Sequence, residues 1–229
     1  MTLTVLCPTY KRGPETLMAV QQSFLDTRGS RDTQLVFVTE PNDKTWLDGQ
    51  KDYNALFRVL ILDQPSGNMA AALNAAWPRY TGASVLGFIG DDHRFRSRGW
   101  DTEILDALKG GGIAYGDDLV QGENLPTQWF VSTPIVEALG WFALPQCRHF
   151  YLDNCWKCLG EDAGCLYYLP EVKIEHLHFS YGKSELDETY VHTMQVGTGD
   201  DVRFAEWYNS PQYEIDVARV KGALVGSGA

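Results

Sequence analysis

The most constraining feature of this sequence is the regular alternation of short apolar strand patterns with helical patterns over its first 93 residues. The strand patterns cover Leu3–Cys7, Gln34–Thr39, Phe57–Leu62 and Ser84–Ile89. The helical patterns between them cover Pro14–Leu25, Lys44–Tyr53 and Gly67–Trp77, the last with Ser66 as its expected N-cap. Such alternation predicts an α/β fold with a mostly parallel sheet built from βαβ units and flanked by helices.

The second half of the chain is less regular. Helices are expected over Trp100–Leu108, after Thr133 as N-cap, within His149–Leu159, and over Ser184–Met194 and Val202–Val220. Strands are expected over Ile113–Tyr115 and Gln128–Val131 and within Cys165–His178. Because no repeat, low-complexity linker or charge shift marks a boundary, we expect one domain over residues 1–229.

The composition and net charge of the chain indicate in which compartment such a domain is expected and what kind of ligand it can bind. The five cysteines are an odd number and argue against a disulfide framework, and no stretch of 18 apolar residues predicts a transmembrane helix. With no secretory signal pattern at the N-terminus, we expect a cytoplasmic protein without a membrane anchor. The net charge of −11 repels nucleic acid and anionic membranes, so an anionic ligand needs local basic groups, a helix N-terminus or a divalent metal.

Polar residues follow the predicted strands. Thr9 to Arg12, Glu40, Asp63 and Asp91-Asp92-His93 each come at the end of one strand pattern. The carboxyl ends of parallel strands form the usual ligand site of open α/β sheets. The adjacent carboxylates of Asp91 and Asp92 repel each other unless hydrogen-bond donors or a cation such as Mg²⁺ or Mn²⁺ neutralises them. The alternative is a solvated turn in which one of the two caps a helix.

These motifs together resemble those of a known family. The opening Pro8-Thr9-Tyr10-Lys11-Arg12, the Ser66-Gly67-Asn68 stretch with the later Asn74, and the strand ending in Asp91-Asp92 are similar to family 2 glycosyltransferases, which have the GT-A fold. The similarity is clearest over residues 1 to about 108, which it assigns to nucleotide-sugar binding; residues 109–229 would form the acceptor-side region and C-terminal helices. The chain departs from the family in carrying Asp91-Asp92-His93 instead of Asp-x-Asp, and Glu40-Pro41-Asn42-Asp43 instead of an acidic pair.

The resemblance implies a role for each matching position. The residues assigned to the nucleotide sugar are Pro8, Thr9, Tyr10, Arg12, Glu40, Asp63, Asn68 and Asp91. Asp92 is implied as the main ligand of Mn²⁺ or Mg²⁺. Each position has a structural alternative: Tyr10 packs on Pro41, Glu40 caps the next helix, and Asp63 opens a turn.

Three features of the second half add to this assignment. Asp153 follows an aromatic run and would be the catalytic base by resemblance. In the alternative, Asp153 is only a helix N-cap, and Glu161 or Asp162 is the base. His176 and His178 share one face of a strand pattern, and a histidine of this region would complete the metal shell, with His178 favoured. Lys183 would meet the donor diphosphate or be a solvated turn residue.

The cysteines suggest no metal. Cys155 and Cys158 form a Cys-x-x-Cys, but they lie in a helical aromatic pattern with no second such motif, so core packing is the expected role.

The sequence therefore predicts a metal-dependent, inverting glycosyltransferase that uses a nucleoside-diphosphate sugar, with UDP-sugars favoured, and a hydroxyl acceptor. Alternatives are a non-catalytic nucleotide-sugar or glycan-binding protein of the same fold, and a sugar-phosphate nucleotidyltransferase, whose Gly-rich loop is missing here. The acceptor stays open. Compact relatives of this family in phages suggest hydroxymethylated pyrimidine in DNA, and hence a phage-encoded enzyme in a host cytoplasm. The basic residues Arg94, Arg96 and Arg98 fit this acceptor, whereas the net charge opposes it.

Overall fold

The computed structural model describes residues 1–43, 58–183 and 188–226. Strands are β1 (Leu3–Thr9), β2 (Gln34–Thr39), β3 (Arg58–Ile61), β4 (Val85–Phe88), β5 (His93–Phe95), β6 (Ile113–Asp117), β7 (Trp129–Ser132) and β8 (Leu166–His176). Helices are α1 (Pro14–Thr27), α2 (Met69–Ala76), α3 (Trp100–Ala107), α4 (Thr133–Leu139), α5 (Leu152–Ala163), α6 (Glu188–Val196), α7 (Asp200–Tyr208) and α8 (Pro211–Gly226). Within these ranges no helix combines the length and apolar character needed to cross a membrane.

The eight described strands form one sheet in the order β3-β2-β1-β4-β7-β6-β8-β5. The four N-terminal strands of the prediction pair in parallel, as expected for βαβ units. Strand β7 runs antiparallel to both β4 and β6, and β5 runs antiparallel to β8, so the sheet is mixed beyond β4. The parallel half of the sheet was correctly predicted. Strands β7 and β5, which run antiparallel to their neighbours, belong to the other half of the same sheet.

Side chains from alternate positions of the strands bury two separate cores. Leu3, Val5 and Cys7 of β1 pack on the face covered by α1 and α3, whereas Leu6 packs on the opposite face with α2, α4 and α5. Because successive side chains of a strand point to opposite faces, a continuous apolar run is buried on both sides. This burial explains why the strand patterns of the first half lack polar alternation.

Strand β8 is longer than expected, because it continues through Pro170 as one element. Its pairing with β6 shifts register between Gly116 and Asp117. A β-carbon at Gly116 would lie 2.1 Å from the carbonyl oxygen of Val172, so only glycine allows the two backbones to approach this closely.

Several predicted boundaries differ from the structure. The expected helix Lys44–Tyr53 lies outside the described residues. So do residues 184–187, the first four of the expected helix Ser184–Met194. The expected helix Val202–Val220 is two helices, since α7 ends at Tyr208 and α8 begins at Pro211. Ser66 is not an N-cap: the cap of α2 is Asn68, whose Oδ1 accepts a hydrogen bond from the Ala71 amide at 2.8 Å.

The predicted cap of α4 is also wrong by one position. Ser132 precedes the helix, and Thr133 is its first residue. The Thr133 hydroxyl donates to the carbonyl of Ala83 at 2.6 Å, so it ties α4 to the chain before β4.

Candidate functional site

One large cleft lies at the carboxyl ends of β1, β2 and β4, where the topology of an open α/β sheet places ligands. Its volume is about 640 Å³, within the range of small-molecule sites. The predicted site residues that line it are Pro8, Thr9, Tyr10, Arg12, Glu40, Asn68, Asp91, Asp92, Asp153 and His178. The fold therefore brings together most of the residues selected from the sequence.

Two predicted site residues do not line this cleft. Asp63 follows β3, the edge strand, and its side chain is 80% exposed and paired with Arg79. Lys183 donates to Glu175 at 3.1 Å. The exposed position of Asp63 fits its alternative as a turn residue, whereas Lys183 is only 27% exposed and is held in an ion pair.

Asp91 and Arg12 form a buried ion pair at the floor of the cleft. The Arg12 Nε donates to Asp91 Oδ1 at 3.1 Å, and both side chains are only 12% exposed. Burial raises the pKa of Asp91 to about 6, although the neighbouring guanidinium acts in the opposite direction. Lys11, which precedes Arg12, has a φ of 53°, and its amide donates to the Asp43 carboxylate at 2.8 Å. The chain therefore turns after β1, and Arg12 points into the cleft.

Asp92 lies between two imidazoles that the sheet register brings together. His93 of β5 pairs directly with His176 of β8, so their rings stack with centroids 4.3 Å apart. Asp92 Oδ1 lies 3.2 Å from His93 Nδ1, and Asp92 Oδ2 lies 3.2 Å from His176 Nε2. A β-carbon at Gly90 would lie 2.6 Å from Asp92 Oδ1, so glycine at this turn leaves room for the carboxylate.

In this cluster the Asp92 carboxylate is ionised and lies beside the imidazole rings of His93 and His176. Burial favours the neutral form of Asp92, but hydrogen bonds with His176 and His93 hold its pKa well below the usual range. Burial opposes the protonation of His176 as well, yet the Asp92 carboxylate raises the pKa of this histidine. Burial and the charge of His176 lower the pKa of His93, so it is neutral near pH 7.

The residues Asp92, His93 and His176 have a composition suited to a divalent cation. Their ligand atoms lie within 4.8 Å of one another, and no other such group occurs within residues 1–43, 58–183 and 188–226. His93 Nε2 is buried without a hydrogen-bond partner, so the cluster does not satisfy itself. Two imidazoles with one carboxylate suit first-row transition ions better than Mg²⁺, which prefers oxygen ligands. His178, the histidine favoured from the sequence, lines the cleft next to this cluster, with its ring centroid 5.2 Å from that of His176.

Asp153 also lines the cleft, near the start of α5. Helix α5 begins after Tyr151, its N-cap, so the alternative in which Asp153 caps the helix is wrong. Its Oδ1 accepts the adjacent Asn154 amide at 2.9 Å. Burial raises the pKa of Asp153, although this hydrogen bond and one from its own amide act in the opposite direction. The fallback residue Asp162 accepts a hydrogen bond from Tyr213 near the other end of α5 and does not line the cleft.

Tyr10 and Glu40 line the part of the cleft at the ends of β1 and β2. Tyr10 stacks on His192 of α6 with ring centroids 5.1 Å apart. The Glu40 carboxylate accepts the Ser66 amide at 2.9 Å and the Ser66 hydroxyl. This contact joins the end of β2 to the turn before α2. The helix that Glu40 would cap in the alternative lies outside the described residues.

All five histidines of the chain line this cleft. His149 and His192 were missed from the sequence because neither belongs to a recognisable spacing. Burial lowers the pKa of His149 to about 4. A fold that gathers every imidazole in one cleft concentrates metal-binding and proton-transfer groups there.

The cysteines and the basic cluster have other roles. Cys155 is buried in the core and Cys158 partly buried against it, with no disulfide recorded for either, consistent with the packing role predicted for them. Arg94 donates to the carbonyls of Asp91 and His93, and Arg96 pairs with Glu175 at 2.7 Å. These two arginines are therefore engaged within the protein.

No protein-family model and no curated protein matches the sequence. Among solved structures, TarS 1–349 of S. aureus in complex with UDP-GlcNAc matches 99% of this chain and 72% of its own, with a TM-score of 0.60 and 12% identity. Glucosyl-3-phosphoglycerate synthase of Mycobacterium tuberculosis, with Mn²⁺, UDP and phosphoglyceric acid, matches 92% of this chain and 79% of its own (TM-score 0.61, 13% identity).

A mannosyltransferase of Pyrobaculum calidifontis, in complex with GDP-Man and Mn²⁺, matches 98% of this chain and 74% of its own (TM-score 0.58, 14% identity). The chain spans about half, 49%, of a longer TarS structure. At these identities the likeness concerns the fold, and it confirms the fold predicted from the sequence. The chain has the GT-A fold of nucleotide-sugar transferases.

Proposed function

We propose that this protein is a metal-dependent glycosyltransferase that moves a sugar from a nucleoside diphosphate, preferably a UDP-sugar, to an acceptor hydroxyl with inversion. The observation that carries the proposal is the cluster of Asp92, His93 and His176 beside the Asp91–Arg12 pair, in the cleft where the GT-A fold places ligands. Structural neighbours solved with UDP-GlcNAc, with UDP and Mn²⁺, and with GDP-Man and Mn²⁺ support the same chemistry.

Asp92, His93 and His176 would hold the cation, with Mn²⁺ preferred over Mg²⁺ because two of the three ligands are nitrogen. A bound divalent cation supplies Lewis acidity that stabilises the charge of the leaving diphosphate. In this proposal His176 replaces His178 as the metal ligand, since His176 Nε2 contacts Asp92.

The nucleotide would bind along the ends of β1 and β2. Tyr10 offers a ring face for the base, and Glu40 offers carboxylate oxygens at the nucleoside end of the cleft. Among the described side chains that line the cleft, Arg12 is the only arginine or lysine. Its ion pair with Asp91 fixes its position. A single paired arginine leaves most of the diphosphate charge to be neutralised by the cation.

Asp153 would act as the base. Its pKa is raised by burial, which strengthens its affinity for a proton taken from the acceptor. The acceptor oxygen forms a bond to the anomeric carbon as its proton moves to Asp153, and the bond from that carbon to the diphosphate oxygen breaks with its electron pair. Attack opposite the leaving group inverts the anomeric centre.

For the acceptor, a small or flexible hydroxyl compound fits better than modified DNA. Arg94 and Arg96 are engaged by carbonyls and by Glu175, and neither lines the cleft. The net charge of −11 repels a phosphate backbone.

The test is release of nucleoside diphosphate from a panel of UDP- and GDP-sugars with Mn²⁺, with Mg²⁺ or with EDTA. We expect hydrolysis with Mn²⁺, and its loss in Asp92→Ala together with weaker Mn²⁺-dependent UDP binding in calorimetry. Asp106→Ala, which removes an exposed carboxylate paired with Lys109, is the control. Binding of nucleotide sugar without turnover would favour the non-catalytic alternative. Unchanged Mn²⁺-dependent affinity in Asp92→Ala would contradict the metal assignment.

A further inference from the structure

Asp200, the first residue of α7, has a fully buried carboxylate that binds a distant loop. Its Oδ2 accepts the amides of His149 at 2.8 Å and Phe150 at 2.9 Å, and the Arg148 amide lies 3.1 Å from both oxygens. Arg203, one turn later, donates to Oδ1 at 2.8 Å. Three successive backbone amides thus converge on one carboxylate, so this single side chain holds the backbone of the loop.

The loop held in this way leads directly into the acceptor side of the cleft. His149 and Phe150 line the cleft, and Tyr151 then adopts a left-handed conformation with φ of 65°. Left-handed backbone is unfavourable at a residue other than glycine, so surrounding contacts must maintain it. Helix α5 starts at the next residue, and Asp153 is its second residue.

We propose that Asp200 is a positioning residue, which holds the 148–151 loop so that Asp153 and His149 face the cleft. The inference rests on the proposed function, because it assigns the acceptor side of the same site. The donor side depends on the ends of β1, β2 and β4, on the start of α2 and on the β5–β8 pair, none of which the Asp200 carboxylate contacts among the described hydrogen bonds. The loop meets the start of α2 through one backbone bond, from the Ala70 amide to the Arg148 carbonyl at 3.0 Å, which the Asp200 side chain does not make. Loss of the Asp200 carboxylate should therefore lower turnover and leave nucleotide affinity intact.

Asp216 of α8 provides a matched control. It is as buried as Asp200, and it also pairs with an arginine three residues later, Arg219 at 3.4 Å. Its oxygens accept the Trp207 indole at 3.0 Å and the Gln212 amide at 2.9 Å, and none of these residues lines the cleft. Asp216→Ala should lower stability as Asp200→Ala does without affecting the loop.

The experiment compares wild type, Asp200→Ala, Asp200→Asn and Asp216→Ala at equal folded fraction. The readouts are kcat for Mn²⁺-dependent UDP-glucose hydrolysis, the Kd of UDP with Mn²⁺, and hydrogen exchange at the amides of residues 148–150. For Asp200→Ala we expect kcat to fall at least about tenfold, Kd to stay within about twofold, and the three amides to exchange faster. Asn keeps one carbonyl oxygen for these amides, so Asp200→Asn should recover part of the rate, and it decides the question if the alanine variant does not fold.

Equal kcat in Asp200→Ala and Asp216→Ala would overturn the inference while leaving the proposed function in place. So would exchange at residues 148–150 as slow as in wild type. If wild type hydrolyses no nucleotide sugar of the panel with Mn²⁺, the proposed function fails and the catalytic part of the inference fails with it. The exchange rates then decide whether Asp200 holds the loop.

Discussion

The pKa of His149 predicts how acid affects the stability of the protein. Burial lowers its pKa to about 4, against about 6.5 in an unfolded chain. Between these values the unfolded state binds a proton that the folded state does not, so stability falls as the pH falls. From pH 7.5 to 5 the full shift corresponds to about 2 kcal/mol, and since the side chain is partly exposed to the cleft we expect a loss of about 1–2 kcal/mol.

The measurement is urea unfolding of wild type and His149→Gln at pH 7.5 and 5.0, with EDTA present to remove metal ions. Glutamine is polar, similar in size and not protonated in this range. The variant should lose about 1–2 kcal/mol less than wild type between the two pH values. A loss equal to that of wild type would refute the argument that burial keeps this imidazole neutral.

Asp91 provides a control of opposite sign. Its pKa is raised to about 6, so the folded state binds the additional proton between about pH 4 and 6, and stability rises as the pH falls. Asp91→Asn removes this gain while its amide oxygen can still accept from Arg12. This variant should lose about 1 kcal/mol more than wild type between pH 7.5 and 5.0.

Four further substitutions test the site and the sheet. Asp153→Asn should reduce kcat for sugar transfer by about 10²–10⁴-fold and leave Mn²⁺-dependent UDP affinity near wild type; a retained rate would exclude it as the base. His176→Ala should weaken Mn²⁺ binding in calorimetry by at least about tenfold and His178→Ala by less, whereas a larger effect of His178→Ala would restore His178 as the ligand. Gly116→Ala should destabilise the fold by about 1–3 kcal/mol in urea unfolding because its β-carbon meets the Val172 backbone, and an unchanged midpoint would show that β8 can shift.

Local patterns were sufficient for the parallel half of the sheet. A continuous apolar strand, a helix with a proline at its first turn and a polar residue at the strand end are each encoded within about ten residues. Their positions at one edge of the sheet follow from the parallel pairing of β1, β2, β3 and β4, which brings the carboxyl ends of these strands together. For this reason Tyr10, Arg12, Glu40, Asp91 and Asp92 were found in one cleft as expected.

Two predictions differ from the structure although the sequence carries a relevant signal: the single helix across Ser210-Pro211 and the placing of Asp63 in the site. Ser210-Pro211 separates α7 from α8, since proline cannot continue the preceding helix, yet one helix was predicted across it. Asp63 comes two residues after β3 and Asp91 three residues after β4, but β3 is the edge strand and the Asp63 side chain is exposed. Strand order, which sequence periodicity does not encode, decides between these two aspartates.

The sequence by itself determined the parallel α/β half of the fold and the carboxylates at its strand ends, because these depend on side chains close together in the chain. Only the tertiary structure decided which histidine meets Asp92, because that depends on the β5–β8 register between residues 84 positions apart. It likewise decided that Asp200 binds the loop before Asp153, a contact between residues about 50 positions apart. Such contacts depend on packing and strand pairing across the whole domain, and no local pattern records them.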